Sequence, residues 1–150
     1  MTTVDLVEYV KKQGIDFDIF NDNNPNVKTY SKRIPNSRIF NATYAFEYNE
    51  RKNYFRFCIL GIVKNRLPCK DGDTVEDTVK KIQKRFPDLR YEGRSWLRVY
   101  FGEPYHKKYL NRSDADVKND VNSAINEMKS FMETTEKKFF TFLENNRKMD

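Results

Sequence analysis

Two kinds of chemistry are open to this sequence: divalent-metal hydrolysis by carboxylates, and the binding of polyanions by arginine and lysine among aromatic rings. Asp16 and Asp18 share one face of the alternating run Ile15–Phe20, and Glu47 stands in an aromatic, strand-like stretch. With a lysine such as Lys52, these oxygens are the ligands a hard cation such as Mg²⁺ takes in a nuclease. The spacing forms no motif, and solvated residues on a strand face account for the same letters. The basic residues are denser. Lys80, Lys84 and Arg85 fall on a helical pattern, Arg90, Arg94 and Arg98 surround a later strand, and Lys107, Lys108 and Arg112 follow it. Tyr91, Trp96, Tyr100, Tyr105 and Tyr109 interleave with them. Cationic side chains neutralise phosphates, and exposed rings stack on unpaired bases. Arg90, Arg94 and Arg98 carry most of this reading, because the strand period puts Arg98 on one face with Trp96 and Tyr100. Against it stands the plain account in which the helix lysines are solubilising charge and the rings are core.

Other chemistries lack their residues. The 5 glycines are scattered and none precedes a Lys-Ser or Lys-Thr pair, so no phosphate-cradling loop is encoded. No G-x-S-x-G turn is present, and the one histidine, His106, rules out a histidine-cluster metal site. We therefore expect no cofactor and no resident metal. The net charge is +6, yet residues 38–112 alone sum to +8, with zero before them and −2 after. An excess held in one part of a chain speaks to partners more than the total does. No apolar run approaches the roughly 18–20 residues of a membrane span, and no charged-then-apolar leader is seen. The chain reads as soluble and cytoplasmic, with Cys58 and Cys69 expected as reduced thiols.

The elements that would position these residues centre on Arg38–Val63. Two runs rich in aromatic and β-branched residues flank the polar turn Asn49-Glu50-Arg51-Lys52-Asn53, which is a hairpin pattern. Phe40, Ala42, Tyr44, Phe46 and Tyr48 share one face of the first run. Phe55, Phe57, Ile59, Gly61 and Val63 share a face of the second, and Cys58, Leu60 and Ile62 make its other face partly apolar, as in a central strand. Before the hairpin we expect a helix over Val4–Gln13 with Val4, Val7 and Val10 as its stripe, a short strand at 15–20, and a loop from Asn21 to Asn36. After it, Asp73 and Glu76 form a capping pattern for a helix that presents Val75, Val79, Ile82 and Phe86 inward. A strand at Trp96–Phe101 follows, then a long helix capped by Ser113. That helix keeps apolar spacing through Phe142 and Leu143, so that it either overshoots the sheet or breaks near Thr134-Thr135.

The expected fold is α+β: a single domain over 1–150, a mainly antiparallel sheet built on the central hairpin, helices packed on it, and a long C-terminal helix. From 38 to 145, the hairpin, helix, aromatic-ended strand and long helix resemble, in element order, an uncharacterised domain at the C-terminus of some prokaryotic restriction-like proteins. That resemblance implies a layout and carries over no catalytic residue. The expected function is a small non-enzymatic binding protein. It would engage nucleic acid, or an acidic nucleic-acid-handling protein, through Lys80, Lys84, Arg85, Arg90, Arg94, Trp96, Arg98, Tyr100, Lys107, Lys108 and Arg112. Small Lys-, Asn-, Tyr- and Phe-rich chains of this kind occur among phage and mobile-element accessory proteins, some of them inhibitors. The alternatives are the metal-dependent nuclease and a structural homodimer associating through Met132, Phe139 and Phe142.

Overall fold

Thr2 starts the first helix: its side-chain oxygen accepts the Asp5 N–H at 3.1 Å, and α1 runs Thr3–Lys11. The computed structural model describes residues 1–103 and 106–145. In α1 the buried residues are Leu6 and Val10, four apart on one face. Val4 is 66 % exposed, which corrects the expected stripe. Two residues from Leu6 is about 200° around a helix, so Val4 faces water once Leu6 is buried. Gly14, in the left-handed region at φ 83°, turns the chain out.

Six strands follow, β1 Ile19–Asn21, β2 Lys28–Arg33, β3 Thr43–Asn49, β4 Tyr54–Leu60, β5 Arg90–Glu92 and β6 Arg98–Phe101. They form one antiparallel sheet in the order β1-β2-β3-β4-β6-β5. The central hairpin is as expected, with Tyr44 opposite Ile59 and Phe46 opposite Phe57, and Asn53 at φ 54° in its turn. Three strands differ from expectation. β1 keeps only Ile19 and Phe20 of the strand expected at 15–20, β2 lies in the stretch expected as loop, and β5 lies where no strand is expected. In β2 only Tyr30 is apolar, so local sequence carries almost no strand signal. Its conformation is imposed by pairing with β3 along six residues, from Lys28 opposite Tyr48 to Arg33 opposite Thr43. Tyr30 then lies between Phe20, at 4.6 Å between ring centroids, and Phe46 at 6.3 Å.

Helix α2, Val75–Arg85, is capped one residue later than expected. Thr74 and Asp77 exchange the two bonds of the capping box, which leaves Asp73 to pair with Lys81. Ser113 caps α3, Asp114–Thr134, whose 21 residues span about 32 Å. There the helix ends. Thr135 leaves helical geometry at φ −128°, and a separate α4, Glu136–Glu144, turns back onto the domain.

Both ends of α4 are tied to the segment between β2 and β3. Glu136 accepts hydrogen bonds from Tyr44 Oη and Asn36 Nδ2, each at 2.6 Å, and Glu144 accepts the N–H groups of Arg38 and Ile39 at 2.6 and 3.0 Å. Phe139, Phe140 and Leu143 are consequently buried, with Phe139 ringed by Phe86, Phe131 and Phe140 at 5.2–5.6 Å. This corrects the expected association face. Phe139 is core, while Phe142 and Met132 are half-buried against that core.

All four helices contribute to one apolar core with Tyr44, Phe46, Phe57, Ile59, Val99 and Phe101, which line one face of the sheet. The opposite face carries a separate small cluster of Ala45, Cys58 and Tyr100, with Leu60 beside it and, among the described residues, no helix residue in it. Cys58 and Cys69 are free thiols. Among the described residues no helix is long and apolar enough to cross a membrane.

Candidate functional site

The face without helices is where polar side chains converge. Alternation along β3 and β4 points Glu47 and Arg56 to it as direct cross-strand partners, and pairing of β4 with β6 adds Tyr100 opposite Cys58. By the same alternation, Arg98 lies on this face, and so does Trp96, which bridges to Val63 just before β6. Trp96 is 46 % exposed. Three of the expected binding residues, Trp96, Arg98 and Tyr100, thus share this face, but Tyr100 is 3 % exposed and corrects the expectation, because its ring packs with Ala45 and Cys58 and offers no face to a ligand. Three that were not singled out join them: Tyr54, Arg56 and His106.

Glu47 is 5 % exposed and Arg56 9 %. Arg56 Nε donates to Glu47 Oε1 at 2.8 Å, Cys58 Sγ donates to the same oxygen at 3.5 Å, and Thr29 Oγ1 donates to Oε2 at 3.3 Å. Burial works against the charge on Arg56, but Glu47 and then Cys58 outweigh it and its pKa rises. Burial, reinforced by Glu47, pushes the Cys58 thiol well up, so Cys58 is a neutral packing group and no nucleophile. The guanidinium of Arg56 also lies 5.6 and 5.7 Å from the centroids of Tyr54 and Tyr100, within cation–π range.

Arg56 Nη1 is 2.8 Å from His106 Nε2. A guanidinium only donates, so Nε2 accepts and the ring is neutral with its proton on Nδ1. His106 stacks beside Tyr54 at 4.9 Å. Burial first, then Arg56, lower the His106 pKa below its ordinary 6.5. A base whose pKa falls on folding binds its proton better when unfolded. Stability therefore drops as the pH falls below about 6.5 and levels off once the folded-state ring is also protonated. His106→Gln keeps an acceptor for Arg56 but cannot titrate, so its stability should change less between about pH 7.5 and about pH 5. Urea midpoints of both proteins at the two pH values check this, and parallel shifts would count against it.

The β1–β2 connection borders the same face. Asn21, Asn23, Asn24 and Val27 line one side of a cleft of about 240 Å³, with Thr29, Glu47, Arg56 and Arg98 on the other. Asn side chains shape the connection, Asn21 Oδ1 accepting the Asn23 N–H and Asn24 Oδ1 accepting the Asn26 N–H, each at 2.9 Å.

The remaining expected residues lie elsewhere. Lys80, Lys84 and Arg85 are exposed on α2, whose Val79 and Ile82 join the main core, so they sit on the other side of the sheet. Arg90 is taken by Glu103 at 3.2 Å and Glu127 at 2.8 Å, and Arg112 by Asp120 at 2.7 Å. Lys107 corrects the expectation outright. It is 3 % exposed, its chain passes close to Gly102, and burial lowers its pKa, so it offers no surface charge. Lys108 and Arg94 are exposed, Arg94 in the turn between β5 and β6. Tyr91 and Tyr109 pack with the main core, and Tyr105 lies outside the described residues.

The carboxylates proposed for a nuclease do not assemble. Asp16 and Asp18 are exposed ahead of β1, Glu47 is engaged by Arg56, and among the described residues no group of three His, Cys, Asp or Glu side chains could hold a metal ion. Comparison with protein-family models, with curated proteins and with solved structures finds no match for this chain.

Proposed function

We propose that this protein is a non-enzymatic binding protein that engages nucleic acid through the helix-free face of its sheet. One observation supports this reading above the rest: Trp96 and Arg98 share that face with Tyr54 and His106, while Arg56 is buried against Glu47, so accessible cationic and aromatic groups occupy one face with no described helix residue in its apolar cluster. Such a surface suits a phosphate backbone whose bases are free to stack. The α2 lysines fall outside this reading, because they point away from the face.

Binding of a labelled mixed-sequence single-stranded oligonucleotide at low salt tests it. Arg94→Glu with Arg98→Glu should abolish measurable binding while leaving the thermal melt intact. Lys80→Glu with Lys84→Glu should change affinity by no more than about threefold, the small effect of charges that steer from a distance without touching. Equal losses from both pairs would show a diffuse electrostatic attraction with no defined face. No binding by the wild type at low salt would remove nucleic acid as the partner and leave an acidic protein in its place.

A further inference from the structure

The cleft between the Asn21–Val27 connection and the sheet holds an unbalanced charge. Among the described residues that line it, Glu47 is the one carboxylate, and Arg56 already neutralises it at 2.8 Å. Arg98 is then left over. It is half-buried, but among the described residues it forms no ion pair, not even with Glu92, its cross-strand neighbour on β5. The exposed arginines also lack carboxylates, but of the four described arginines that are buried or half-buried, Arg56, Arg90 and Arg112 are each held by one, which leaves Arg98 as the part-buried guanidinium open to an anion from outside.

We infer that this cleft is a phosphate subsite that seats one backbone phosphate of a single-stranded nucleic acid, with Arg98 as the direct contact and Asn24 at the rim. The inference rests on the function proposed above and narrows it. A guanidinium fork matches two phosphate oxygens at once. The Glu47–Arg56 pair keeps the floor polar without cancelling Arg98. Sites for whole small molecules run about 300–1,000 Å³, so about 240 Å³ takes a phosphoryl group with part of its sugar and leaves the rest of a ligand outside the cleft. The source of the phosphate follows from what lies beside the cleft. Trp96 and the Tyr54–His106 ring pair occupy the same face, and rings next to an anion seat serve a strand whose bases are unpaired. A duplex hides those bases.

Fluorescence anisotropy with a labelled oligothymidylate, a duplex of equal length, and inorganic phosphate or thymidine monophosphate as competitors tests the inference. The single strand should bind at least about tenfold more tightly than the duplex. Arg98→Ala should weaken single-strand binding by about tenfold, the scale of one charge-assisted contact. It should also flatten the slope of log affinity against log salt by about 0.7, the value of one phosphate on a single strand. Asn24→Asp provides a variant that folding cannot confound. Asn24 is exposed, and an aspartate oxygen keeps the bond to the Asn26 N–H while placing a negative charge at the rim. It should weaken binding several-fold with an unchanged melting temperature. If the wild type binds single strands but both variants retain its affinity and salt slope, the cleft is not the subsite, although the proposed face survives. If the wild type binds no single strand, both readings fall. If free phosphate or the mononucleotide competes as well as the oligonucleotide itself, the cleft serves a free anion and the inference is wrong.

Discussion

Glu47→Ala should lower the unfolding free energy by about 3–5 kcal/mol, the usual result of stranding one member of a buried ion pair. The side chains of Glu47 and Arg56 are 7 % and 10 % exposed, so the arginine left behind would keep a desolvated charge with no carboxylate in reach. Two further losses fall on the same substitution. Cys58 and Thr29 would lose the acceptor they share, and a buried donor without a partner costs about 1–3 kcal/mol. Joint replacement by Glu47→Leu and Arg56→Met removes both charges and should recover most of the stability, because apolar isosteres often match a buried pair. Urea denaturation reads the Glu47→Ala loss and, on Glu47→Leu alone, Arg56→Met alone and the two together, closes a mutant cycle. A loss under about 1 kcal/mol for Glu47→Ala would show that water from the cleft solvates Arg56 and that the pair behaves like a surface bridge.

Phe139→Ala should cost about 3–5 kcal/mol, the range for deleting a buried ring. The ring is fully enclosed and meets Phe86, Phe131 and Phe140 edge-on at interplanar angles of 69–88°. Against a total stability of about 5–15 kcal/mol, the loss would be plain in a thermal melt. The sedimentation behaviour of the protein should not change. An unchanged melt with an altered oligomeric state would instead return α4 to the association role that its apolar spacing suggests.

That spacing shows where sequence reasoning reaches its limit. Periodicity reports which positions are apolar, so it places Phe139, Phe142 and Leu143 on one stripe correctly. Whether the stripe meets a partner or folds home depends on the turn at Thr135 and on Glu136 and Glu144 finding Tyr44, Asn36 and the Arg38–Ile39 backbone, roughly a hundred positions away in the chain. The hairpin was legible because its two strands are neighbours in sequence and their aromatic alternation is strong. β2 was not, since Lys28-Thr29-Tyr30-Ser31-Lys32-Arg33 becomes a strand through pairing with β3. The candidate site divides in the same way. Trp96, Arg98 and Tyr100 were readable from alternation within a single strand. Their companionship with Tyr54 and Arg56 needs β6 to lie beside β4, and no local pattern reports strand order. Lys107 failed for a simpler reason, namely that a lysine letter does not say whether α3 will cover it.

The strand order has a bearing on self-association in bulk. The segments of this chain with the greatest capacity to template fibrous stacking are β3 and β4, dense in aromatic residues and carrying few charges. They occupy the two middle positions of the sheet, where neighbours on both sides take up their backbone groups. The rims are left to β1 and β5, each only three residues long, and β5 carries the opposite charges of Arg90 and Glu92 at its two ends. A short rim strand offers an incoming chain too few free donors and acceptors to extend the ladder. The molecule thus leaves a broad face of its sheet without helices and still presents no long edge along which a second copy could continue it.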